Sequence, residues 1–355
     1  IVGSKVIVFC SQRFLKSAKK HEIFSNCSLD NHEVKYYTDI TPNPTLKDLA
    51  TCCSKLTDFD VSTIVAIGGG STLDLANAFK YFRGSELPYK IFCNYILENK
   101  PINCPKTINS IALPTTSGTG SEVTPFATIW DEKNLKKLSI NSDYIFYSTA
   151  IIDPVLTYSL PFEQTLYTGL DAFNQVAESL WNKNSNVLTR PYSIRALDIG
   201  FKALVGFSKK KPISTHLRYD LSLMSLYSGL AISHTRTALC HSISYPLTSH
   251  YGIPHGLACA FTMPEVYLSN VKHDSSFANE ILKVLNFKSE TYLYHEFKKI
   301  NDFHSVSSLV RKLVPSIDHL LKLIPEMYTP SRAKNNLNPT PDLVKILQNS
   351  WNTDL

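Results

Sequence analysis

One stretch constrains the fold more than any other. Thr63-Ile64-Val65-Ala66-Ile67 is apolar and β-branched, and it runs straight into Gly68-Gly69-Gly70-Ser71 and the helical run from Leu73 to Phe82. A short apolar run without polar alternation suits a strand buried on both faces, as in a parallel sheet. Glycines at a strand-to-helix turn let phosphate oxygens approach the backbone. The helix N-terminus beyond them offers N–H groups and partial positive charge. The stretch is neither Gly-x-Gly-x-x-Gly nor a lysine-bearing P-loop, so alone it reads equally as a tight turn or a nucleotide site. Ser71 is a candidate helix cap or phosphate ligand, and Asp74 stands at capping-box distance.

Three further strands are expected at Val6–Phe9, Glu33–Tyr37 and Ile108–Leu113, the last ended by Pro114. Strands separated by helical stretches predict a parallel sheet. A second loop, Pro114-Thr115-Thr116-Ser117-Gly118-Thr119-Gly120-Ser121-Glu122, is dense in hydroxyls and low in bulk. Two such loops at the carboxyl ends of parallel strands are where a dinucleotide lies in an open α/β sheet. After Pro161 the texture turns helical, with patterns near 163–182, 187–207, 215–235, 237–248 and 256–271. The chain's 355 residues exceed one ordinary core. The expectation is a dinucleotide-binding α/β domain over 1–155 and an all-helical domain over 156–355, divided near Asp153-Pro154.

Composition narrows the class. Hydrophobic residues at 43% and charged residues at 19% exclude long disorder. No apolar run reaches the roughly 18 residues of a membrane span, and no signal-peptide pattern opens the chain. The net charge of +6 is mild, and its densest run, Lys209-Lys210-Lys211, is too short for a nucleic-acid arm. None of the eight cysteines forms Cys-x-x-Cys, so they read as reduced thiols of a cytoplasmic protein.

The helical half holds a third constellation. Asp171 and Gln175 are four apart and share a helix face, with Glu178 a turn beyond. His241 and His255 follow, the second inside Ile253-Pro254-His255-Gly256. An aspartate and two histidines with one position open form a candidate catalytic divalent-metal set. His234 and His250 are the nearest confusions.

These motifs together resemble the iron-dependent (group III) alcohol dehydrogenases. The resemblance rests on Gly68–Ser71, on Ala112-Leu113-Pro114-Thr115-Thr116-Ser117-Gly118-Thr119-Gly120-Ser121-Glu122-Val123, on Thr168-Gly169-Leu170-Asp171-Ala172, and on His241 with Pro254-His255-Gly256. It implies a Rossmann-like α/β domain followed by a helical domain. It also implies NADP(H) or NAD(H), a metal (Fe2+ or Zn2+), and interconversion of an aldehyde and a primary alcohol. The implied cofactor-binding residues are Ser11, Asn43, Gly69, Gly70, Ser71, Asp74, Thr115, Thr116, Thr119, Ser121, Thr124 and Lys137. The implied metal ligands are Asp171, His241 and His255. Two positions depart from the family pattern. Gln175 stands where a histidine ligand is usual, and is either a weaker fourth ligand or a polar neighbour. Tyr245 stands where an active-site histidine is usual, and becomes a candidate proton relay.

Thr128–Asp131, Gln175–Trp181 and Thr235–Thr248 look most like the phosphonoacetaldehyde reductase (2-hydroxyethylphosphonate dehydrogenase) branch. That points to phosphonoacetaldehyde, an anionic substrate, and to Arg236 as its cationic partner. Ser11 replaces the acidic residue that pairs with the adenine ribose in NAD-specific members, and Arg13 follows it, so NADPH is expected to be accepted. The alternatives are another small aldehyde or, in a different class, a lyase resembling dehydroquinate synthase. Tyr245, His255 and Arg236 are the candidate catalytic residues. Neither nucleic acid nor membrane is expected as a partner, and a homodimer is the expected assembly.

Overall fold

The computed structural model describes residues 4–20, 32–83, 108–134, 136–209, 212–328 and 330–353. Cys27, Cys93, Cys104, Lys210 and Lys211 lie outside the described residues. The chain divides into two units, 1–116 with 121–157, and 117–120 with 158–355. The split falls two residues beyond the expected boundary. It also contains a four-residue excursion, Ser117–Gly120, that counts with the helical unit.

In the first unit, β1 (Lys5–Cys10), β2 (Glu33–Tyr37), β3 (Thr63–Gly68), β4 (Asn109–Pro114) and β7 (Thr149–Ala150) form a parallel sheet in the order β2-β1-β3-β4-β7. Alternation along the strands sorts side chains to two faces. Ile7, Phe9, Ile64 and Ala66 pack with Leu46 and Leu49 of α2 (Leu46–Leu56) and Leu73 and Phe79 of α3 (Gly70–Phe82). Val6, Val8, Cys10 and Ile67 pack with Phe14 and Leu15 of α1 (Gln12–Lys20) on the other face. Both faces are covered, which is why these strands read as unbroken apolar runs.

Two local expectations are corrected. Helix α3 begins at Gly70, with Gly69 as its N-cap and no side-chain cap. It therefore starts three residues before the predicted Leu73, and Asp74 falls too deep in it to close a capping box. Instead Ser71 Oγ accepts from the Asn43 backbone N–H (3.1 Å), and Asp74 Oδ2 accepts from that of Thr128 (2.9 Å). Thr128 belongs to an unpredicted antiparallel hairpin of β5 (Phe126–Asp131) and β6 (Lys136–Asn141). Asp131 closes its turn by accepting from the backbone N–H (3.2 Å) and Nδ2 (2.7 Å) of Asn134.

The second unit is helical: α4 (Phe162–Leu180), α5 (Arg190–Val205), α6 (Thr215–Thr235), α7 (Leu239–Tyr251), α8 (His255–His273), and shorter helices to Asn352. Helix α4 is buried from Gly169 to Leu180 and packs against α5, α6 and α8. Around it Phe173, Trp181, Phe201, Tyr267 and Phe297 form an aromatic core. No helix among the described residues is long and apolar enough to cross a membrane.

Candidate metal and cofactor sites

The first unit gathers its candidate cofactor residues at the carboxyl end of the sheet, as the register requires: Cys10 pairs with Ile67, and Gly68 with Pro114. Ser11 follows β1, and its Oγ accepts from the Phe14 N–H (3.1 Å) at the start of α1. Gly69, Gly70 and Ser71 form the half-exposed N-terminus of α3. The Thr115 N–H reaches Gly68 O (2.9 Å), and a Cβ at Gly69 would meet the Thr116 side chain at 3.0 Å. Asn43 holds φ 56 beside Ser71. This is an uncapped helix N-terminus ringed by hydroxyls and small residues, the arrangement that suits a pyrophosphate. Ser121 and Thr124 are buried. Lys137 lies on β6 opposite Trp130 and acts electrostatically on Asp74. Burial raises the Asp74 carboxyl to about 6, against the pull of Thr128, Ser121 and Lys137.

Thr119 lies in the excursion that belongs to the helical unit. The glycines flanking it have a packing reason. A Cβ at Gly118 would come within 2.7 Å of Thr168 Cβ, and one at Gly120 (φ +64) within 2.5 Å of Gly229 Cα. Ser117 Oγ bonds Ser222 Oγ at 3.0 Å. These glycines let the loop lie flat on α4 and α6.

In the second unit three helices converge. Asp171 projects from α4, His241 from the first turn of α7, and His255 from the first residue of α8. His241 Nε2 is 3.3 Å and His255 Nε2 3.9 Å from Asp171 Oδ1. The approach of α8 depends on Gly256, where a Cβ would sit 1.8 Å from the Tyr167 carbonyl oxygen of α4. That contact explains the glycine of Pro254-His255-Gly256.

Each imidazole is oriented from behind. His241 Nδ1–H donates to Glu178 Oε2 (2.7 Å), leaving Nε2 toward Asp171. Glu178 also accepts from the backbone N–H groups of Ala238 (2.9 Å), Cys240 and His241 (3.3 Å), and so caps α7, whose N-cap Ala238 has no capping side chain. The Ser244 hydroxyl donates to His241 O (2.8 Å) and lies 3.2 Å from His255 Nδ1. Carboxylate–histidine pairs of this kind fix ligand tautomers at metal centres. Burial lowers the pKa of His241, but Cys259, Glu178 and Asp171 outweigh it and hold it well above the usual value. Two buried carboxylates around two imidazoles carry an excess of negative charge that a divalent cation neutralises. The donor set therefore fits a metal.

Gln175 is in place but turned. Its Nε2 donates to Asp171 Oδ1 (3.2 Å), and its Oε1 accepts from Ser228 Oγ (2.7 Å). A carboxylate only accepts, so the amide N–H must face Asp171. Tyr245 lies one turn after His241 and stacks on His255, with ring centroids 5.9 Å apart at 17°. Arg332, from the short helix Pro330–Ala333, was not anticipated from sequence. It donates through Nε to Tyr245 Oη (3.2 Å), and Tyr245 and Glu178 keep its pKa raised. Arg236 adjoins it. Burial and the charge of Arg332 together lower the Arg236 pKa. His234 and His250 bond elsewhere, to Ser233 and Glu326. Cys259 was also missed: its sulfur joins Asp171, His241 and His255 in one cluster whose donor atoms all lie within 4.8 Å of one another.

Comparisons with known proteins agree with this geometry. The chain is similar to the sulfoacetaldehyde reductase of Bilophila wadsworthia, at 28% identity over 74% of this chain and 66% of that one. It is also similar to the phosphonoacetaldehyde reductase of Streptomyces viridochromogenes, at 34% over 62% of this chain and 56% of that one. The chain thus spans less than two thirds of the length of these relatives. Its fold matches the crystal structure of sulfoacetaldehyde reductase from Bifidobacterium kashiwanohense in complex with NAD+, with a TM-score of 0.81 at 26% identity, covering 99% of this chain and 90% of that one. Residues 1–154 match the model of the iron-containing alcohol dehydrogenases, and residues 165–317 match that family's C-terminal model. With both halves matched and the Asp171–His241–His255 set assembled, the chain belongs to the iron-containing alcohol dehydrogenase family.

Proposed function

We propose that the chain catalyses the metal-dependent, NAD(P)H-linked reduction of phosphonoacetaldehyde to 2-hydroxyethylphosphonate. One observation carries the reading. In the second unit an aspartate–histidine cluster is followed by Tyr245 stacked on His255 and Arg332 bonded to Tyr245, with Arg236 close enough to feel the charge of Arg332. The sequence thus runs from a carbonyl-activating centre through a phenol to two cationic anchors.

A divalent cation held by Asp171, His241 and His255 supplies Lewis acidity toward a carbonyl oxygen. A nicotinamide dinucleotide, held by Ser11, Asn43, Gly69–Ser71, Thr115 and Thr116, supplies the hydride. The chain's own residues do the rest. Glu178 and Ser244 hold both imidazoles in the tautomer that presents Nε2. The His255 side chain is 26% exposed against 4% for His241, so the substrate reaches the cluster from the His255 side. Tyr245 lies on that side. Because a guanidinium only donates, the Tyr245 oxygen accepts from Arg332, and the phenol O–H is the proposed proton donor to the product oxygen. Arg236 and Arg332 bind the anionic group. Two guanidiniums match a phosphonate dianion in charge and in bidentate geometry.

Sulfoacetaldehyde is the second reading, favoured by the likeness to sulfoacetaldehyde reductases. The two anions differ by one charge, and wild-type kcat/KM on each separates them. The decisive test is Arg236→Ala, because Arg332 also holds Tyr245 and its loss would slow every aldehyde. Arg236→Ala is expected to raise KM for phosphonoacetaldehyde by roughly 10–100-fold, for the loss of a charged contact of about 1.5–3 kcal/mol. Propionaldehyde, which has no anionic group, should be turned over as before. Equal losses on both aldehydes would refute the anion-binding role.

A further inference from the structure

We propose that Cys259 is a metal ligand, as a thiolate, and completes a four-donor Asp171–His241–His255–Cys259 site in which Gln175 is an outer partner. The inference rests on the metal-dependent reading above and concerns which atoms form the centre.

The spacing supports it. A tetrahedral ion with Zn–N and Zn–O bonds of about 2.0–2.2 Å and a Zn–S bond of about 2.3 Å has donor–donor edges of roughly 3.3–3.7 Å. The corresponding separations are 3.3 Å for His241 Nε2–Asp171 Oδ1, 3.9 Å for His255 Nε2–Asp171 Oδ1, and 3.9 Å for Cys259 Sγ–His255 Nε2. All four donor atoms fall within 4.8 Å of one another. His255 and Cys259 are four apart at the start of α8, so one helix face presents both, as α4 presents Asp171 and Gln175.

The neighbours support it as well. Gln175 directs N–H, not oxygen, at Asp171, and its oxygen is held by Ser228. That geometry orients a ligand and does not supply one. Cys259 is fully buried, and Asp171, His241 and Ser244 all act on its sulfur. A soft sulfur donor also shifts metal preference from iron toward zinc.

The test is spectroscopic. The apoprotein is loaded with Co2+, its cobalt content is measured, and its absorption is recorded. The wild-type protein should hold one cobalt and show thiolate-to-cobalt charge-transfer absorption in the near ultraviolet. Cys259→Ser should lose that absorption and weaken Zn2+ binding, measured by chelator competition, beyond the roughly 10–100-fold typical of losing an outer partner. Gln175→Ala should keep the absorption. One bound cobalt without the charge-transfer band in the wild type would overturn this proposal alone, whether or not the variants fold. Failure of the wild type to take up cobalt at all would overturn the metal-dependent reading with it. A band that survives Cys259→Ser would assign the sulfur to another cysteine and also overturn the proposal.

Discussion

Gly256→Ala is a one-methyl perturbation whose effect follows from a single distance. The new Cβ would sit 1.8 Å from the Tyr167 carbonyl oxygen, against a floor near 3.0 Å for real Cβ contacts. The obstacle is α4 backbone, with no flexible side chain to swing aside, so α8 must retreat from α4 by about 1.2 Å. Overpacking of this severity costs about 3 kcal/mol, the upper end of the usual range. For a unit of this size that lowers Tm by roughly 6–12 °C. The retreat carries His255 and Cys259 away from Asp171. A shift of that size against separations of 3.3–3.9 Å should weaken metal binding at least as much as loss of an outer partner does, roughly 100-fold. Gly252→Ala is the control. Gly252 also has φ +64, but a Cβ there meets nothing within 4 Å. It should show only left-handed backbone strain of about 1–2 kcal/mol, with Zn2+ affinity unchanged. Thermal melts and chelator competition on both variants are the assay. If Gly256→Ala binds Zn2+ like the wild type and melts no lower than Gly252→Ala, the close crossing is not what builds the site.

Two further outcomes are expected. Burial pushes the Glu122 carboxyl up to about 7 from 4.5, so the folded unit binds a proton more tightly than the unfolded chain does. Its contribution to stability is full below about pH 4.5 and is lost as pH rises through about 7, by up to about 3 kcal/mol. Urea midpoints at about pH 5 and about pH 8 should therefore differ more in the wild type than in Glu122→Gln; equal slopes would contradict the buried proton. At the cofactor end, Ser11 carries no charge to repel a 2′-phosphate, and Arg13 is exposed in the first turn of α1. NADPH should be used at least as well as NADH, and Arg13→Ala should raise KM for NADPH selectively. A strong NADH preference unchanged by Arg13→Ala would sink this.

What was legible in the sequence follows from how local each signal is. The runs at β1, β3 and β4 were readable because both faces of the sheet are covered, leaving no polar residue to blur them. The hairpin was not, because β5 hides only alternate residues and its outward positions, Thr128 and Trp130, look like loop or motif residues. Asp171, His241 and His255 stood out by residue type and by resemblance. Cys259 had the same four-residue spacing from His255 as Gln175 has from Asp171, a usable signal that a search for Cys-x-x-Cys passes over. Arg332 left no trace, since its partner Tyr245 is 87 residues away. The glycines of Ser117–Gly120 were recognised as small, but the reason lay in α4 and α6, which only tertiary structure supplies.

The turn between α6 and α7 carries Arg236, the proposed anion anchor, just ahead of His241, a proposed metal ligand. Arg236 holds φ 64 and ψ 178, a conformation that costs a non-glycine residue about 1–3 kcal/mol. It persists because its carbonyl oxygen accepts from Asn182 Nδ2 (3.1 Å) and Thr235 Oγ1 (3.0 Å). Asn184 and Asn335 hold the carbonyls of Thr235 (3.3 Å) and Thr237 (2.9 Å) on either side. Glu178 takes the next free backbone group, the Ala238 N–H, and His241 follows within the same turn of helix. The end of α4 supplies Glu178, which aims His241 at Asp171, and the turn just beyond it supplies Asn182 and Asn184, which help to hold the chain at Arg236. A chain relaxed at residue 236 would re-aim the guanidinium and release the start of α7 together. On the proposed reading, the strain is the cost of fixing an anion anchor and a metal ligand in one rigid turn.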